Sequence, residues 1–220
     1  MSLQIIEAQT GEDPVATILI MHGLGADGRD FVPIAEQLDL SGIGPVRFLF
    51  PSAPHMPVTI NGGYTMPAWY DILGADLTSQ QDEAGMRQSQ AAMEAILANE
   101  KSRGMAAHRI VVAGFSQGCA MALMAGLRHG ERLAGIAGLS GYLPLAAKTA
   151  AEGSPANKDV PIFLAHGTRD GVVALPRAVA SRDALTALGY PVEWHAYPME
   201  HSVCPEEVAD LEQWLLRVLA

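Results

Sequence analysis

Short apolar runs alternate along the chain with longer stretches whose apolar residues recur at helical spacing. The runs are rich in β-branched and aliphatic residues, and most are apolar throughout, which is typical of parallel strands covered on both faces of a sheet. The predicted strands are Leu3–Ala8, Ala16–Met21, Val46–Phe50, Arg109–Ala113, Gly135–Leu139, Pro161–Ala165 and Val192–Tyr197. The first two, joined by a short turn, predict an antiparallel hairpin at one edge of the sheet.

The amphipathic stretches between these runs carry helix start and stop signals. In the clearest of them, Ser79 and Asp82 predict the start, Lys101 and Arg103 occupy the last turn, and Gly104 predicts the end. The predicted helices are Phe31–Leu38, Ser79–Arg103, Gln117–Arg128, Pro176–Leu188 and a last helix from Pro205. Alternating strands and helices predict an α/β fold with a mainly parallel sheet flanked by helices, formed as one domain over residues 1–220.

One segment, Pro51–Thr78, interrupts this alternation. It is rich in proline, contains Gly62-Gly63, and has the adjacent aromatic residues Trp69 and Tyr70. A connection this long inside a compact domain is uncommon and is often a lid or a binding loop. We therefore expect an ordered, lid-like binding loop at residues 51–78, although an ordinary surface loop is the alternative.

Composition and charge narrow the class of protein. The 220 residues are 49% hydrophobic and 17% charged, which excludes intrinsic disorder. The net charge of −10 argues against nucleic-acid binding or firm binding to an anionic membrane, since both need a basic face. No apolar run approaches the ~20 residues of a membrane span, so we expect no stable membrane insertion.

The cysteine count and the first residues bear on location and cofactors. Two cysteines, Cys119 and Cys204, are too few for a disulfide framework or a thiolate zinc site. The first seven residues have no basic n-region, so the sequence predicts no signal peptide and a cytoplasmic protein. No cluster of metal ligands at suitable spacing is apparent, and we expect no metal and no cofactor.

The strongest chemical signal is Gly114-Phe115-Ser116-Gln117-Gly118, directly after one predicted strand and directly before a helix. This is the setting of a nucleophile elbow, in which glycines on both sides permit a tight turn that exposes the serine hydroxyl. The Gln117 amide would then point to where a carbonyl oxygen binds, at the positive end of the helix. The alternative is that Ser116 is a small buried residue of a tight turn.

A serine nucleophile needs a histidine base and a carboxylate that orients it, and in this arrangement the chain order is Ser, Asp or Glu, His. Asp170 follows the strand Pro161–Ala165, and His201 follows the strand Val192–Tyr197. Both therefore come from carboxyl ends of strands, where open α/β sheets place their active sites.

Other residues fit these roles less well. His55 and His166 precede the expected carboxylate, and His195 lies inside a strand. Asp159 precedes its strand and belongs to the opposite edge of the sheet, while Glu200 is adjacent to His201 in one loop.

A second amide donor is expected from the loop after an earlier strand, and His22-Gly23-Leu24-Gly25 follows Ala16–Met21. The glycines allow an amide to turn inward. A hydrogen bond that braces this loop is a better interpretation of His22 than a metal or catalytic role, because no partner ligand accompanies it.

Several motifs together resemble the carboxylesterase/phospholipase family, which includes the acyl-protein thioesterases and small bacterial carboxylesterases. The motifs are His22-Gly23-Leu24-Gly25, Pro57–Gly63, Met66–Asp71, Gly114–Gly118, Gly138–Pro144, His166-Gly167 with Asp170, and Glu200-His201-Ser202. They occur in order over nearly the whole chain. The resemblance implies an α/β-hydrolase fold and hydrolysis of carboxylic esters and thioesters with no cofactor.

The same resemblance implies Ser116, Asp170 and His201 as the catalytic triad and the Leu24 and Gln117 amides as the oxyanion hole. It also implies that the loop through Trp69 forms part of an acyl-binding wall, to which we add Met66 and Leu73 from the apolar content of that loop. Cys119, where many relatives have glycine, affects only packing behind the serine. Some members of the family dimerise, so a homodimer stays open.

These observations predict a serine carboxylesterase that acts on short-to-medium acyl esters. An alternative with the same triad is an acyl-protein thioesterase or a lysophospholipase. A remote alternative is a non-catalytic, ligand-binding homologue, because a fold does not fix a function.

Overall fold

The computed structural model describes residues 3–74 and 80–220. It contains nine strands within those residues. They are β1 Ile5–Gln9, β2 Ala16–Met21, β3 Val46–Pro51, β4 His55–Val58, β5 Tyr64–Pro67, β6 Ile110–Phe115, β7 Gly135–Leu139, β8 Ile162–Gly167 and β9 Val192–Tyr197. Seven of them form one sheet in the order β1-β3-β2-β6-β7-β8-β9, while β4 and β5 form a separate hairpin. All pairs in the large sheet are parallel except β1 with β3.

Helices cover both faces of this sheet. The α-helices are α1 Val32–Ala35, α2 Glu83–Ser102, α3 Gln117–Arg128, α4 Ala146–Glu152, α5 Leu175–Ala187 and α6 Pro205–Val218. The predicted α/β class with a mainly parallel sheet is confirmed. The predicted first helix is shorter than expected: a 3₁₀ helix over Gly28–Phe31 takes its first residue, and α1 ends at Ala35. Helix α4 has no counterpart among the predicted helices.

The first strand is an antiparallel edge strand as expected, but its partner differs from the prediction. Strand β1 pairs with β3, from Ile5 opposite Pro51 to Gln9 opposite Arg47, and does not form a hairpin with β2. The burial of the strands gives the reason. Every residue of β2 is buried, so it needs neighbours on both edges and lies between β3 and β6. Strand β1 alternates exposed and half-buried residues, which suits an edge.

Two apolar clusters fill the space between the sheet and its helices. One cluster joins α2, α3 and Leu185 of α5 to alternate strand residues such as Leu19 and Met21. The other joins α1 and α6 to the intervening residues, such as Ile18 and Ile20. This alternation along β2 follows from side chains pointing to opposite faces of a strand.

Helix α2 begins after Asp82, whose side chain accepts a hydrogen bond from the Gly85 N–H, and it ends before Gly104 in a left-handed conformation (φ 93°). The predicted role of Asp82 as a cap is confirmed. Ser79, predicted as its companion, lies outside the described residues.

The segment predicted as a lid-like loop is largely structured. Strands β4 and β5 pair antiparallel, and Gly62 and Gly63 turn the chain between them with φ of 66° and 79°. The chain then returns to the body of the protein, where Trp69 and Tyr70 are buried. The last four positions of the predicted loop, residues 75–78, lie outside the described residues.

The order of the strands fixes where a site can form. From β2 the chain moves to β3 on one side, whereas β6 lies on the other side. The connection after β2 leads to one face of the sheet through α1, and the connection after β6 leads to the other face through α3. The carboxyl ends of strands at such a point are the usual ligand position in open α/β sheets. No helix within the described ranges is long and apolar enough to cross a bilayer.

Candidate active site

Ser116 occupies the turn between β6 and α3 in a backbone conformation that few residues adopt. Its φ is 56° and its ψ is −116°, and the amide of Ser116 donates to the Leu139 carbonyl at 2.8 Å. Strained backbone of this kind persists only where the surrounding structure holds it in place. The turn leaves Ser116 half-buried at the edge of the sheet, with its side chain available to a neighbour.

The two glycines that flank Ser116 are required by close backbone contacts. A Cβ on Gly114 would lie 2.2 Å from the Gly118 carbonyl oxygen, and a Cβ on Gly118 would lie 2.1 Å from the Met21 carbonyl oxygen. No side chain fits at such distances. The elbow is therefore packed against itself and against the carboxyl end of β2.

Ser116, His201 and Asp170 form one chain of hydrogen bonds. His201 Nε2 lies 2.9 Å from Ser116 Oγ, and His201 Nδ1 lies 2.7 Å from Asp170 Oδ2. His201 is half-buried, and its ring packs against Phe115 at a centroid distance of 4.8 Å. In this arrangement His201 can accept the serine proton while the carboxylate holds the ring and stabilises the imidazolium.

Asp170 is fixed by its own turn. Its Oδ1 accepts the backbone N–H groups of Val172 and Val173, both at 2.8 Å, which leaves Oδ2 for His201. His166, at the end of β8, donates its Nε2–H to the Val173 carbonyl at 2.7 Å and so holds the same turn. Burial lowers the pKa of His166. The neutral imidazole therefore leaves the Asp170 carboxylate to pair with His201.

The loop after β2, residues 22–25, lies directly against the nucleophile. A Cβ on Gly23 would come within 3.3 Å of Ser116 Cβ. The Gly25 N–H donates to the Pro67 carbonyl at 2.9 Å, whereas no described residue accepts from the Leu24 N–H. The Gln117 N–H is the first of α3, and such amides have no partner inside a helix. The loop that carries the Leu24 amide thus lies against Ser116, and the Gln117 amide is next to Ser116 in the chain, as the predicted oxyanion hole requires.

His22 forms a hydrogen bond that braces this loop, as the sequence predicted in preference to a metal or catalytic role. Its Nε2 accepts the Ala53 N–H at 2.9 Å, so the ring proton is on Nδ1, which donates to the Gly23 carbonyl at 2.7 Å. Burial lowers the pKa of His22, which keeps the ring neutral in this role.

The three predicted contacts for an acyl chain are placed differently from one another. Met66 is half-buried in β5, and its Sδ would lie 3.7 Å from a Cβ on Gly25. Leu73 is 39% exposed. Trp69 is only 2% exposed, and its Nε1–H donates to the His22 carbonyl at 2.9 Å. The role of Trp69 in an acyl-binding wall stays a prediction: its indole is almost fully buried, and the residue also lines a cavity with Pro54 and Met56.

The residues that fitted the roles of base, carboxylate or nucleophile less well have other surroundings. His195 stacks on Phe163 and pairs with Glu193, and Asp159 pairs with Arg132 on the surface. Cys119 lies one turn beyond Ser116, and burial raises the pKa of its thiol to about 12, so it is no nucleophile at neutral pH. Within residues 3–74 and 80–220, no group of three or more His, Cys, Asp or Glu side chains is placed to hold a metal ion.

One buried carboxyl group was not predicted. Glu207, in the first turn of α6, is fully buried, and neither carboxyl oxygen has a hydrogen-bond partner. The sequence suggests an ordinary acidic residue at a helix start, like its exposed neighbour Glu206. Burial instead raises the pKa of Glu207 to about 8, so the carboxyl is protonated at neutral pH.

This burial predicts a pH-dependent stability. An unfolded glutamate ionises near pH 4.5 and folded Glu207 near 8, so the free energy of unfolding should fall as pH rises between these values, by up to about 1.4 kcal/mol per pH unit. Glu207→Gln should remove this slope. Urea unfolding at pH 5.5 and 8 measures it, with Glu206→Gln as the exposed control. Parallel pH dependence in the wild type and Glu207→Gln would contradict the assignment.

Comparison with known proteins extends these observations. The profile of the phospholipase/carboxylesterase family matches residues 3–219. Acyl-protein thioesterase 1 of Yarrowia lipolytica is 40% identical over 205 residues, which cover 91% of this chain and 90% of that protein. Acyl-protein thioesterase 1 of Neurospora crassa is 42% identical over 210 residues, covering 91% of this chain and 85% of that protein.

Solved structures agree with the sequence relatives. The crystal structure of acyl-protein thioesterase 2 from Zea mays aligns with a TM-score of 0.86 at 31% identity, over 99% of both chains. The crystal structure of esterase PE8 aligns with a TM-score of 0.81 at 26% identity, over 99% of this chain and 98% of that chain.

Proposed function

Since the chain belongs to the phospholipase/carboxylesterase family and is a serine hydrolase of carboxylic esters, we propose that it hydrolyses acyl thioesters and esters through an acyl-enzyme intermediate on Ser116. The observation that carries the proposal is the continuous hydrogen-bond chain from Ser116 Oγ through His201 to Asp170 Oδ2. The Ser116–His201 link is short enough for proton transfer, and the Asp170–His201 link is short enough for the carboxylate to hold the ring and stabilise the imidazolium.

In the first half-reaction, Ser116 Oγ attacks the acyl carbonyl carbon as its proton passes to His201 Nε2. The carbonyl oxygen becomes an oxyanion that accepts the Leu24 and Gln117 N–H groups. The intermediate collapses as the carbon–sulfur or carbon–oxygen bond of the substrate breaks, and His201 returns the proton to the departing group. A water molecule then attacks the acyl-enzyme by the same route, releasing the carboxylic acid and restoring Ser116.

The names of the relatives support thioesters on proteins as the first candidate substrates. Proteins called acyl-protein thioesterase 1 share about two fifths of their residues with this chain over most of both lengths. The half-buried positions of Ser116 and His201 suit a substrate whose acyl group is attached to a large molecule.

Small acyl esters are a second candidate, favoured by the similarity to esterase PE8. The two candidates differ in their leaving group. A thiolate leaves more readily than an alkoxide because thiols are more acidic, so esters depend more strongly on protonation by His201. Matched octanoyl thioester and ester substrates, assayed side by side with an acylated cysteine peptide, test the proposal. Faster turnover of the thioester peptide supports the first candidate, and turnover of none contradicts both.

We expect the exposed apolar side chains of Leu73 and Val172 to set the chain-length preference. Leu73 and Val172 are 39% and 68% exposed, and Val172 belongs to the turn that holds Asp170. Each methylene buried against them is worth up to ~0.8 kcal/mol, or a few-fold in kcat/KM. Leu73→Ala or Val172→Ala should therefore lower kcat/KM for octanoyl substrates more than for acetyl substrates.

The matched control for these variants is Val15→Ala, because Val15 is 42% exposed just before β2, at the opposite edge of the sheet from Ser116. The measurement is kcat/KM for p-nitrophenyl esters from acetate to decanoate in all four proteins. An equal fractional loss at every chain length would show that neither side chain contacts the acyl group.

A further inference from the structure

Residues 68–70, here called the bridging segment, lie between the two loops that supply free amides beside Ser116. Ala68, Trp69 and Tyr70 are 0%, 2% and 2% exposed. The segment follows β5 directly and packs into the cluster formed by α2 and α3. Its polar groups form hydrogen bonds with residues far away in the sequence, and apolar packing alone does not require such bonds.

On the elbow side, the bridging segment is held by the side chain of Gln117. Gln117 Oε1 accepts the Trp69 backbone N–H at 2.8 Å, and Gln117 Nε2 donates to the Tyr70 carbonyl at 2.7 Å. The side chain is 3% exposed, so these two bonds form in a buried environment where geometry is tightly held. Gln117, whose backbone amide follows Ser116 directly, therefore also binds the bridging segment through its side chain.

On the other side, the bridging segment is tied to residues 22–25. The Trp69 Nε1–H donates to the His22 carbonyl at 2.9 Å, and the Trp69 and His22 rings lie 5.1 Å apart. One residue before the segment, the Pro67 carbonyl accepts the Gly25 N–H at 2.9 Å. Both ends of the loop that carries the Leu24 amide are thus fixed by the same stretch of chain.

The bridging segment is itself anchored from outside. Ser89 of α2 donates its hydroxyl to the Trp69 carbonyl. The Tyr70 hydroxyl is 2.8 Å from that of Tyr142, in the loop after β7. Trp69 therefore has its backbone N–H, its carbonyl and its indole N–H all bonded, each to a different element. Such a segment cannot shift without breaking several buried hydrogen bonds.

We propose that Trp69 and the Gln117 side chain are positioning residues that fix the spacing of the Leu24 and Gln117 amides, an inference that rests on the proposed function. An oxyanion hole works only when both donors lie about 2.7–3.1 Å from the developing oxyanion. These donors come from loops that follow different strands. The bridging segment joins those loops through the hydrogen bonds of Gln117 at one end and of Trp69 Nε1 at the other.

The test is Trp69→Phe, which removes the indole N–H and keeps an aromatic ring in the core. A donor displaced by about 1 Å costs on the order of 100-fold in rate, so we expect kcat to fall about 10- to 100-fold. KM should change less than two-fold, because the oxyanion exists only in the transition state. Affinity for a trifluoromethyl ketone, whose adduct places an oxyanion in the hole, should fall in parallel with kcat.

The matched control is Trp214→Phe. Trp214 is also 2% exposed but belongs to α6, in the cluster on the other face of the sheet. It should lower the melting temperature about as much as Trp69→Phe does while leaving kcat and the ketone affinity unchanged. Equal kinetic losses in the two variants would mean that the loss reflects general destabilisation, and the inference would be overturned.

Gln117→Met provides an independent arm, because it removes both side-chain hydrogen bonds and keeps the backbone amide. It should lower kcat, and the double variant with Trp69→Phe should lose less than the product of the two single losses, since both act on one segment. Multiplicative losses would contradict a shared role. If Ser116→Ala is inactive while Trp69→Phe keeps full kcat, only this inference fails; if Ser116→Ala stays active, the proposed function fails.

Discussion

Ser116→Ala should abolish hydrolysis of every acyl substrate while leaving the fold intact. Removing the nucleophile of a serine hydrolase costs on the order of 10⁶ in kcat, because the histidine and carboxylate have nothing left to activate. The change deletes a single oxygen, which is hydrogen-bonded to His201 Nε2. The melting temperature should therefore change little, or rise as strain at the elbow relaxes. Steady-state kcat with p-nitrophenyl butyrate, together with thermal denaturation, measures both effects.

Ser140→Ala is the matched control for this variant. Ser140 follows β7 in Gly138-Leu139-Ser140-Gly141, is fully buried and also has a positive φ, 49°. The Ser140 hydroxyl has no hydrogen-bond partner and takes no part in the hydrogen bonds that join Ser116, His201 and Asp170. Its removal should leave kcat within a few-fold of the wild type. Activity above a few per cent in Ser116→Ala protein free of wild type would reject Ser116 as the nucleophile.

Asp170→Asn should lower kcat by about 10⁴-fold, the loss known for the carboxylate of this kind of triad. The hydrogen bonds of Asp170 explain why. Its Oδ1 must accept from the Val172 and Val173 amides, so the asparagine oxygen takes that position. The asparagine NH₂ then faces His201 Nδ1 and forces the ring proton onto Nε2, where it blocks proton transfer from Ser116.

The control for this prediction is Asp159→Asn. Asp159 is a surface carboxylate that pairs with Arg132, and in the sequence it is an alternative to Asp170 as the carboxylate of the triad. This variant should keep full activity, as measured by kcat in the same assay. Full kcat in Asp170→Asn would show that another carboxylate orients His201, and the turn that holds Asp170 would no longer support its assignment to the triad.

Much of this architecture could be predicted because the informative signals are local. The strands Ala16–Met21, Gly135–Leu139 and Val192–Tyr197 have the predicted bounds, since each is a short run between turn-forming residues. The elbow could be recognised because a glycine on each side of Ser116 is a steric requirement, visible in the contacts of Gly114 and Gly118. Asp170 and His201 followed from the rule that strand ends meet at one edge of a sheet.

The errors concern properties that depend on which elements meet. The pairing of β1 could not be read locally, because a short turn suits a hairpin with β2 as well as a crossover to β3. The burial of Trp69 could not be predicted either, since an aromatic residue in a long loop looks the same in sequence whether it faces solvent or the core. Glu207 looked like an ordinary first-turn acid, and only the packing of α6 on the sheet reveals its burial.

Locating the site of covalent modification shows whether Ser116 carries the acyl group. The protein is incubated with a fluorophosphonate, digested, and mapped by mass spectrometry, with Ser116→Ala as the unreactive control. We expect a single adduct on Ser116, formed at a rate that drops sharply in Asp170→Asn. Modification of another residue, or equal labelling of the Ser116→Ala protein, would contradict this expectation.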